Sequence, residues 1–144
     1  MKLTRFETRW AEAEMGVIFP GSSDEGLADI GKLGVGAFLQ EVMGAVPFKA
    51  ALGLRLAIWL VALAPLFLLG RLATITGLRL PDRETVVNRL VASRSYAVRS
   101  LVLILKTMGA LLYAGDVSVR ARMNLPPPRR PSLVPLRVKR VHAA

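Results

Sequence analysis

The sequence predicts an all-α fold of four to five helices, followed by an extended Pro/Arg-rich C-terminal tail. Three observations predict it. Apolar residues recur at the helical spacing of three to four in segment after segment, and no reliable run shows the two-residue period of a strand. Glycine, proline and capping residues mark the ends of these segments. Residues 124–144 then change character: they hold Pro126, Pro127, Pro128, Pro131 and Pro135 with five cations and no acid. Such a stretch cannot bury a core and reads as extended or polyproline-like. The chain therefore divides into a helical domain, 1–123, and a basic tail, 124–144, that would wrap a partner.

Residues 3–17 are expected to form an amphipathic helix with Leu3, Phe6, Trp10, Ala13 and Val17 on the apolar side. Thr4 and Glu7 have the spacing of a capping box, and Ser22 with Glu25 repeats it after the turn Pro20-Gly21. Residues 24–45 read as a weaker helix, because Gly26, Gly31, Gly34, Gly36 and Gly44 each lower helix stability by about 1 kcal/mol relative to alanine. Close backbone approach between helices would explain them. Gly31-x-x-Gly34 follows no strand and is not a nucleotide loop.

Residues 48–72 are the most apolar segment. Arg55 and Arg71 bracket 15 uncharged residues, 56–70. As a helix these cover about 22 Å, short of the ~30 Å hydrocarbon core. Snorkelling by Arg55 would extend the reach, and Pro65 would kink the helix. Three readings fit: a span, a helix buried in its own domain or against a partner, and a helix lying in the headgroup layer. After the loop 74–77, Pro81 suits the first position of a further helix, with Asp82 and Glu84 at the positive end of its dipole. A long helix over about 95–114 closes at Gly115, and residues 117–123 add a short turn.

Composition narrows the function. The hydrophobic fraction is 53%, above the ~45–50% of ordinary soluble domains, which leans toward an obligate subunit or a membrane-touching chain. There is no cysteine, which excludes disulfides, thiolate-held zinc, iron–sulfur clusters and covalently attached haem. Residues 1–70 carry 6 basic and 7 acidic groups, and residues 71–144 carry 14 and 3. That asymmetry points to an anionic partner surface, a headgroup layer or nucleic acid. Fifteen of the 20 cations are arginine, which suits forked pairing to carboxylates or phosphates, though an Arg-rich codon bias gives the same excess. No secretory signal is seen, because no apolar run follows the first cations. The expected location is cytoplasmic or inner-membrane-associated.

Nothing in the sequence supplies an enzyme. The single histidine, His142, is third from the end, and no nucleophile–base pair, P-loop, Rossmann fingerprint or metal-ligand cluster is present. Glu12 and Glu14 point apart on a helix and make no metal site. Most of the acids are explained by helix first turns and solvated faces. The feature that stands out is a polar stripe on the long apolar helix: Arg99, Lys106 and Tyr113 recur every seven residues and share one face. They pair inside the chain, with Asp116, Glu41 or carbonyls, or they meet a partner's acids and carbonyls, and the two readings can hold together. The tail lacks the stacking aromatics of nucleic-acid readers, so no specific nucleic acid is expected. Val138 and Val141 interleaved with Lys139 and Arg140 would suit a strand added to a partner's sheet.

The order of residues in 80–116 resembles a known family. A Pro-acid helix start, an apolar helix, Ser…Arg, Leu-x-x-x-Leu-Lys and a Leu-Tyr-x-Gly-Asp close are similar to the small-subunit family named after subunit 3 of membrane-bound gluconate 2-dehydrogenase. The matching residues are Pro81, Glu84, Ser93, Arg99, Leu105, Lys106, Tyr113, Gly115 and Asp116, with an echo at Val17-Ile18-Phe19-Pro20. The resemblance covers roughly residues 5–123. It departs from the pattern in lacking a twin-arginine export signal and in the apolarity of 56–70. It implies a non-catalytic accessory subunit that stabilises an FAD-dependent oxidoreductase of the glucose-methanol-choline class and helps dock it to the membrane. The FAD belongs to that large partner. The expected partner-binding residues are Arg99, Lys106, Tyr113 and Asp116, the apolar-helix residues Trp59 and Phe67, and the tail cations Arg129, Arg130, Arg137 and Arg140. Two alternatives stay open: a small integral or interfacial membrane protein without a redox role, and a basic nucleic-acid-associated helical protein.

Overall fold

Six α-helices and two short 3-10 turns follow one another in a computed structural model that describes residues 2–21 and 29–127, with no β-strand among the described residues. The all-α expectation holds. The sixth helix is the short turn after Gly115. The Ser22/Glu25 capping box, the start of the 24–45 segment and the tail from Pro128 lie outside the described residues.

Helix α1 (Arg5–Ile18) begins at Thr4 with the expected capping box: the Thr4 hydroxyl accepts from the Glu7 amide, and the Thr4 amide donates to the Glu7 carboxylate at 2.8 Å. Its buried face is not the one that apolar spacing predicts. Glu7, Ala11, Glu14 and Met15 point inward, while Leu3, Trp10, Ala13 and Val17 pack only at the margin and Phe6 is exposed. The helix is thus turned by roughly 100°, one residue's rotation, from the predicted orientation. A carboxylate with partners can be buried, and Glu7 has them.

The 24–45 segment is not one helix where it is described. Ile30–Leu33 is a 3-10 turn capped by Asp29, whose carboxylate accepts the Gly31 amide at 3.0 Å. Gly34 has φ 71°, a left-handed conformation that a right-handed helix cannot carry through. Helix α2 (Val35–Ala45) starts after it. Gly36 fulfils the close-approach expectation: a Cβ there would sit 2.4 Å from Thr8 Cγ2 on α1.

Helix α3 (Phe48–Leu68) is the central element and packs against α1, α2, α4 and α5. Its inner face is built from Ala51, Leu54, Ala57, Ile58, Val61, Ala62 and Pro65. The alanines let neighbouring backbones come close, and the branched residues fill the space between. The helix stops four residues before the predicted end, where Gly70 turns left-handed at φ 62°. Arg89 then donates to the terminal Leu68 carbonyl at 2.9 Å. A 3-10 turn, Ile75–Gly77, leads into α4 (Leu80–Val91), with Val86, Val87 and Leu90 inward. Ser95 caps α5 (Tyr96–Gly115), and Asp116 caps α6 (Val117–Arg122). The core lies where Met15, Leu39, Met43, Ile58, Val61, Val86 and Leu105 meet. Both α3 and α5 are long and apolar enough to cross a membrane, and α3 has nearly half of that surface inside the bundle.

Candidate interaction surfaces

Two helices keep apolar surface that the bundle does not cover. On α3, the face opposite the core carries Phe48, Leu52, Leu56, Trp59 and Phe67, all exposed. Their spacing of 4, 4, 3 and 8 residues keeps them in one stripe along the helix. Phe67 is 85% exposed, and Leu72 just past the helix is 97% exposed. At one side the stripe runs into an aromatic triangle with α1. Phe6, Trp10 and Trp59 meet edge-on, with centroids 5.1, 5.5 and 6.2 Å apart.

Behind that triangle lies the polar centre of the molecule. Glu7 is fully buried and accepts a forked pair from Arg55, Nε to Oε1 at 2.6 Å and Nη2 to Oε2 at 2.7 Å. The Trp59 indole N–H donates to Oε1 at 2.7 Å, and the Thr4 hydroxyl donates to Oε2 at 2.8 Å. Burial by itself would raise the carboxyl, but the Arg55 fork with the Thr4 and Trp59 donors brings it down from 4.5 to about 2. The snorkelling expected of Arg55 is therefore overturned: the guanidinium turns to a buried carboxylate on α1, because an ionised partner is worth more there than solvent. Glu14 contrasts with it. It is fully buried two turns along the same face, both carboxylate oxygens lack a hydrogen-bond partner among the described residues, and burial pushes it well above the ordinary value. Glu14 is the exception to the expectation that capping and solvation explain most of the acids, whereas Glu7 does cap its helix and is buried and ion-paired as well. Sequence signals existed: a lone arginine inside an apolar helix needs a counter-charge, and Glu7 and Glu14 stand seven apart.

On α5, Tyr96, Arg99, Leu103 and Lys106 are exposed. With Val91 and Ser100 they line a groove of about 380 Å³. The structure brings Arg99 and Lys106 of the predicted stripe together there. Arg99 donates to the Ser93 carbonyl at 2.6 Å across the α4–α5 corner. Between described residues the ion pairs are Glu7–Arg55 and Arg71–Asp82, so Lys106 has no carboxylate partner among the described residues, and neither Glu41 nor Asp116 takes a cation of the stripe. Tyr113, the third member, turns toward the other side. Its ring stacks on Phe19 at 5.9 Å and 24° and lines a separate apolar groove with Ile18, Val119 and Leu125. Asp116 accepts from the Ser118 and Val119 amides and serves as the cap of α6. Trp59 and Phe67 belong to the α3 stripe. Arg129, Arg130, Arg137 and Arg140 lie outside the described residues.

Several arginines have an intramolecular use that spacing did not reveal. Arg83 donates to the Leu78 and Thr76 carbonyls, Arg89 to Leu68, and Arg120 to Ala114 and Pro126. The forked donor closes helix ends and turns here, with no phosphate or carboxylate involved. Comparison of the chain with family models, characterised proteins and solved structures finds no match.

Proposed function

We propose that this chain is a non-catalytic helical accessory subunit, held through the exposed face of α5 by a larger FAD-dependent oxidoreductase of the glucose-methanol-choline class. The observation that carries the reading is the α5 groove. Arg99 and Lys106 line it together with Leu103 and Tyr96, on a surface with no described carboxylate to answer Lys106. Apolar anchors beside cations suit a protein surface bearing carboxylates or backbone carbonyls. The flavoprotein identity of that partner rests on the resemblance carried by residues 80–116. The FAD and the chemistry belong to the partner, and this chain supplies a rigid face and stabilises what it covers.

A tagged chain recovered from its native cell tests this. The expected eluate holds one large partner in equal amount and is yellow, with a flavin absorbance spectrum. Lys106→Glu reverses an exposed charge that supports nothing inside the bundle, so its helical content and melting temperature should match the wild type. Recovery of the partner should fall roughly tenfold or more, since it places like charge against the partner's acids. A colourless eluate from the wild type, or a Lys106→Glu chain that retains its flavoprotein, would overturn the reading.

A further inference from the structure

We infer that the outer face of α3 lies flat in the headgroup layer of an anionic lipid bilayer. This stands on α3 and α1 and does not rest on the flavoprotein reading of α5. The exposed stripe Phe48, Leu52, Leu56, Trp59, Phe67 runs the length of a 21-residue helix, about 30 Å. It is too long and too aromatic to be scattered surface apolarity, and contiguous exposed patches of this kind mark a binding face. The side chains at its flank are those that prefer the boundary between water and hydrocarbon. Trp59 has its ring edge against Trp10 and Phe6 and its N–H committed to Glu7, so the indole offers an apolar body outward with its polar atom already satisfied.

Charge complementarity selects the occupant. Helix α3 contains no acidic residue. Lys49 is exposed on its outer side, Arg5 and Arg9 are exposed within one turn of Phe6 on α1, and Lys2 is exposed just before that helix. None of these four has an ion pair with a described residue. An apolar face rich in Trp, Phe and Leu, bordered by unpaired cations, has the composition of an interfacial helix on anionic lipid. Packing decides between lying and spanning. The opposite side of α3 is filled by Ala51, Leu54, Ile58 and Val61 against the other helices, so lipid cannot surround it. Arg55, the eighth of the 21 residues of the helix, is held inward by Glu7, which places an ion pair about a third of the way along it. A helix lying in the interface keeps that pair within the protein.

The chain's two tryptophans are Trp10 and Trp59, and both sit in this patch, so intrinsic emission reads it directly. The full chain in detergent-free buffer is mixed with vesicles of phosphatidylcholine containing phosphatidylglycerol, and with vesicles of phosphatidylcholine alone. Flotation with the anionic vesicles, a blue shift in emission and quenching by brominated acyl chains are expected. Flotation with the neutral vesicles should be much weaker. Leu56→Ser with Phe67→Ser alters exposed side chains only and should cut binding tenfold or more while helical content is kept. Lys49→Gln should weaken binding to the anionic vesicles by about fivefold. The double variant keeps every cation of the chain, so flotation equal to the wild type would assign binding to the basic residues elsewhere and overturn the inference. An unchanged wild-type spectrum with anionic vesicles would overturn it too. So would a blue shift that occurs only when a protein partner is added, which would make the stripe a protein interface.

Discussion

Glu7 and Glu14 stand two turns apart on the same buried face of α1, yet their surroundings shift their carboxyls in opposite directions. Glu7 collects the Arg55 fork, the Trp59 indole and the Thr4 donors and stays ionised. Glu14 has no partner for either oxygen among the described residues, and burial pushes its carboxyl well above the ordinary value. Removing one half of the Glu7 network should therefore leave an uncompensated buried charge. Arg55→Ala should destabilise the fold by up to the roughly 3–5 kcal/mol seen when a buried pair is broken, toward the lower end because the Arg55 side chain is 28% exposed. Chemical denaturation of Arg55→Ala beside the double variant Arg55→Leu with Glu7→Leu checks this. The double variant should lose less than the single one, because it buries no orphaned carboxylate. A larger loss in the double variant would mean that the network's worth lies in its attraction and not in the avoided orphan charge.

Helix existence was legible from the sequence, because apolar period, caps and breakers are local. The Thr4 box, the Gly115 close of α5 and the short helix after it lie at or close to where residue types place them. Helix orientation was not legible on α1, because the pairing that buries Glu7 comes from Arg55, 48 positions away. Apolar spacing could not show that α1 turns two carboxylates inward and leaves Phe6 outside. Nor could it separate Tyr113 from Arg99 and Lys106: the stripe is real on the helix surface, but Phe19, just past the end of α1, covers one end of it. Glycine roles likewise depend on what lies opposite. At Gly109 a Cβ would come within 2.2 Å of the Phe19 ring and 3.0 Å of Met15 Sδ, whereas at Gly16, inside α1, it would meet open space. Gly109→Ala should thus cost about 1–3 kcal/mol through forced displacement of Phe19 from its stack. Gly16→Ala should gain roughly 0.5–1 kcal/mol by helix propensity. Thermal melting of the two variants checks both signs. Equal effects would show that the α1–α5 packing at Phe19 yields without strain.

Across the whole molecule the two acids set a stability optimum in mildly acidic solution. Glu7 titrates near 4.5 when unfolded and at about 2 when folded. Between those values the unfolded chain binds more protons, so stability rises with pH and is lost as pH falls toward 2. Asp116, held below its ordinary value by the Ser118 hydroxyl and the Val119 amide, adds to that acid limb. Glu14 acts in the opposite sense. Its folded value lies well above 4.5, so from about 4.5 upward the folded chain binds more protons and stability falls as pH rises. Within its window each group changes stability by at most about 1.4 kcal/mol per pH unit. Melting temperatures recorded from pH 2 to 9 should therefore peak near pH 4.5–5 and decline toward neutrality. Glu14→Leu should flatten the upper limb and raise stability at neutral pH by roughly 1–3 kcal/mol, because an unpartnered buried polar group is replaced by one that needs no partner. The same variant should leave the acid limb, which belongs to Glu7 and Asp116, in place. An upper limb that persists in Glu14→Leu would mean that Glu14 is not the group that titrates there, and that another acid, or water admitted by local opening of α1, governs the alkaline side.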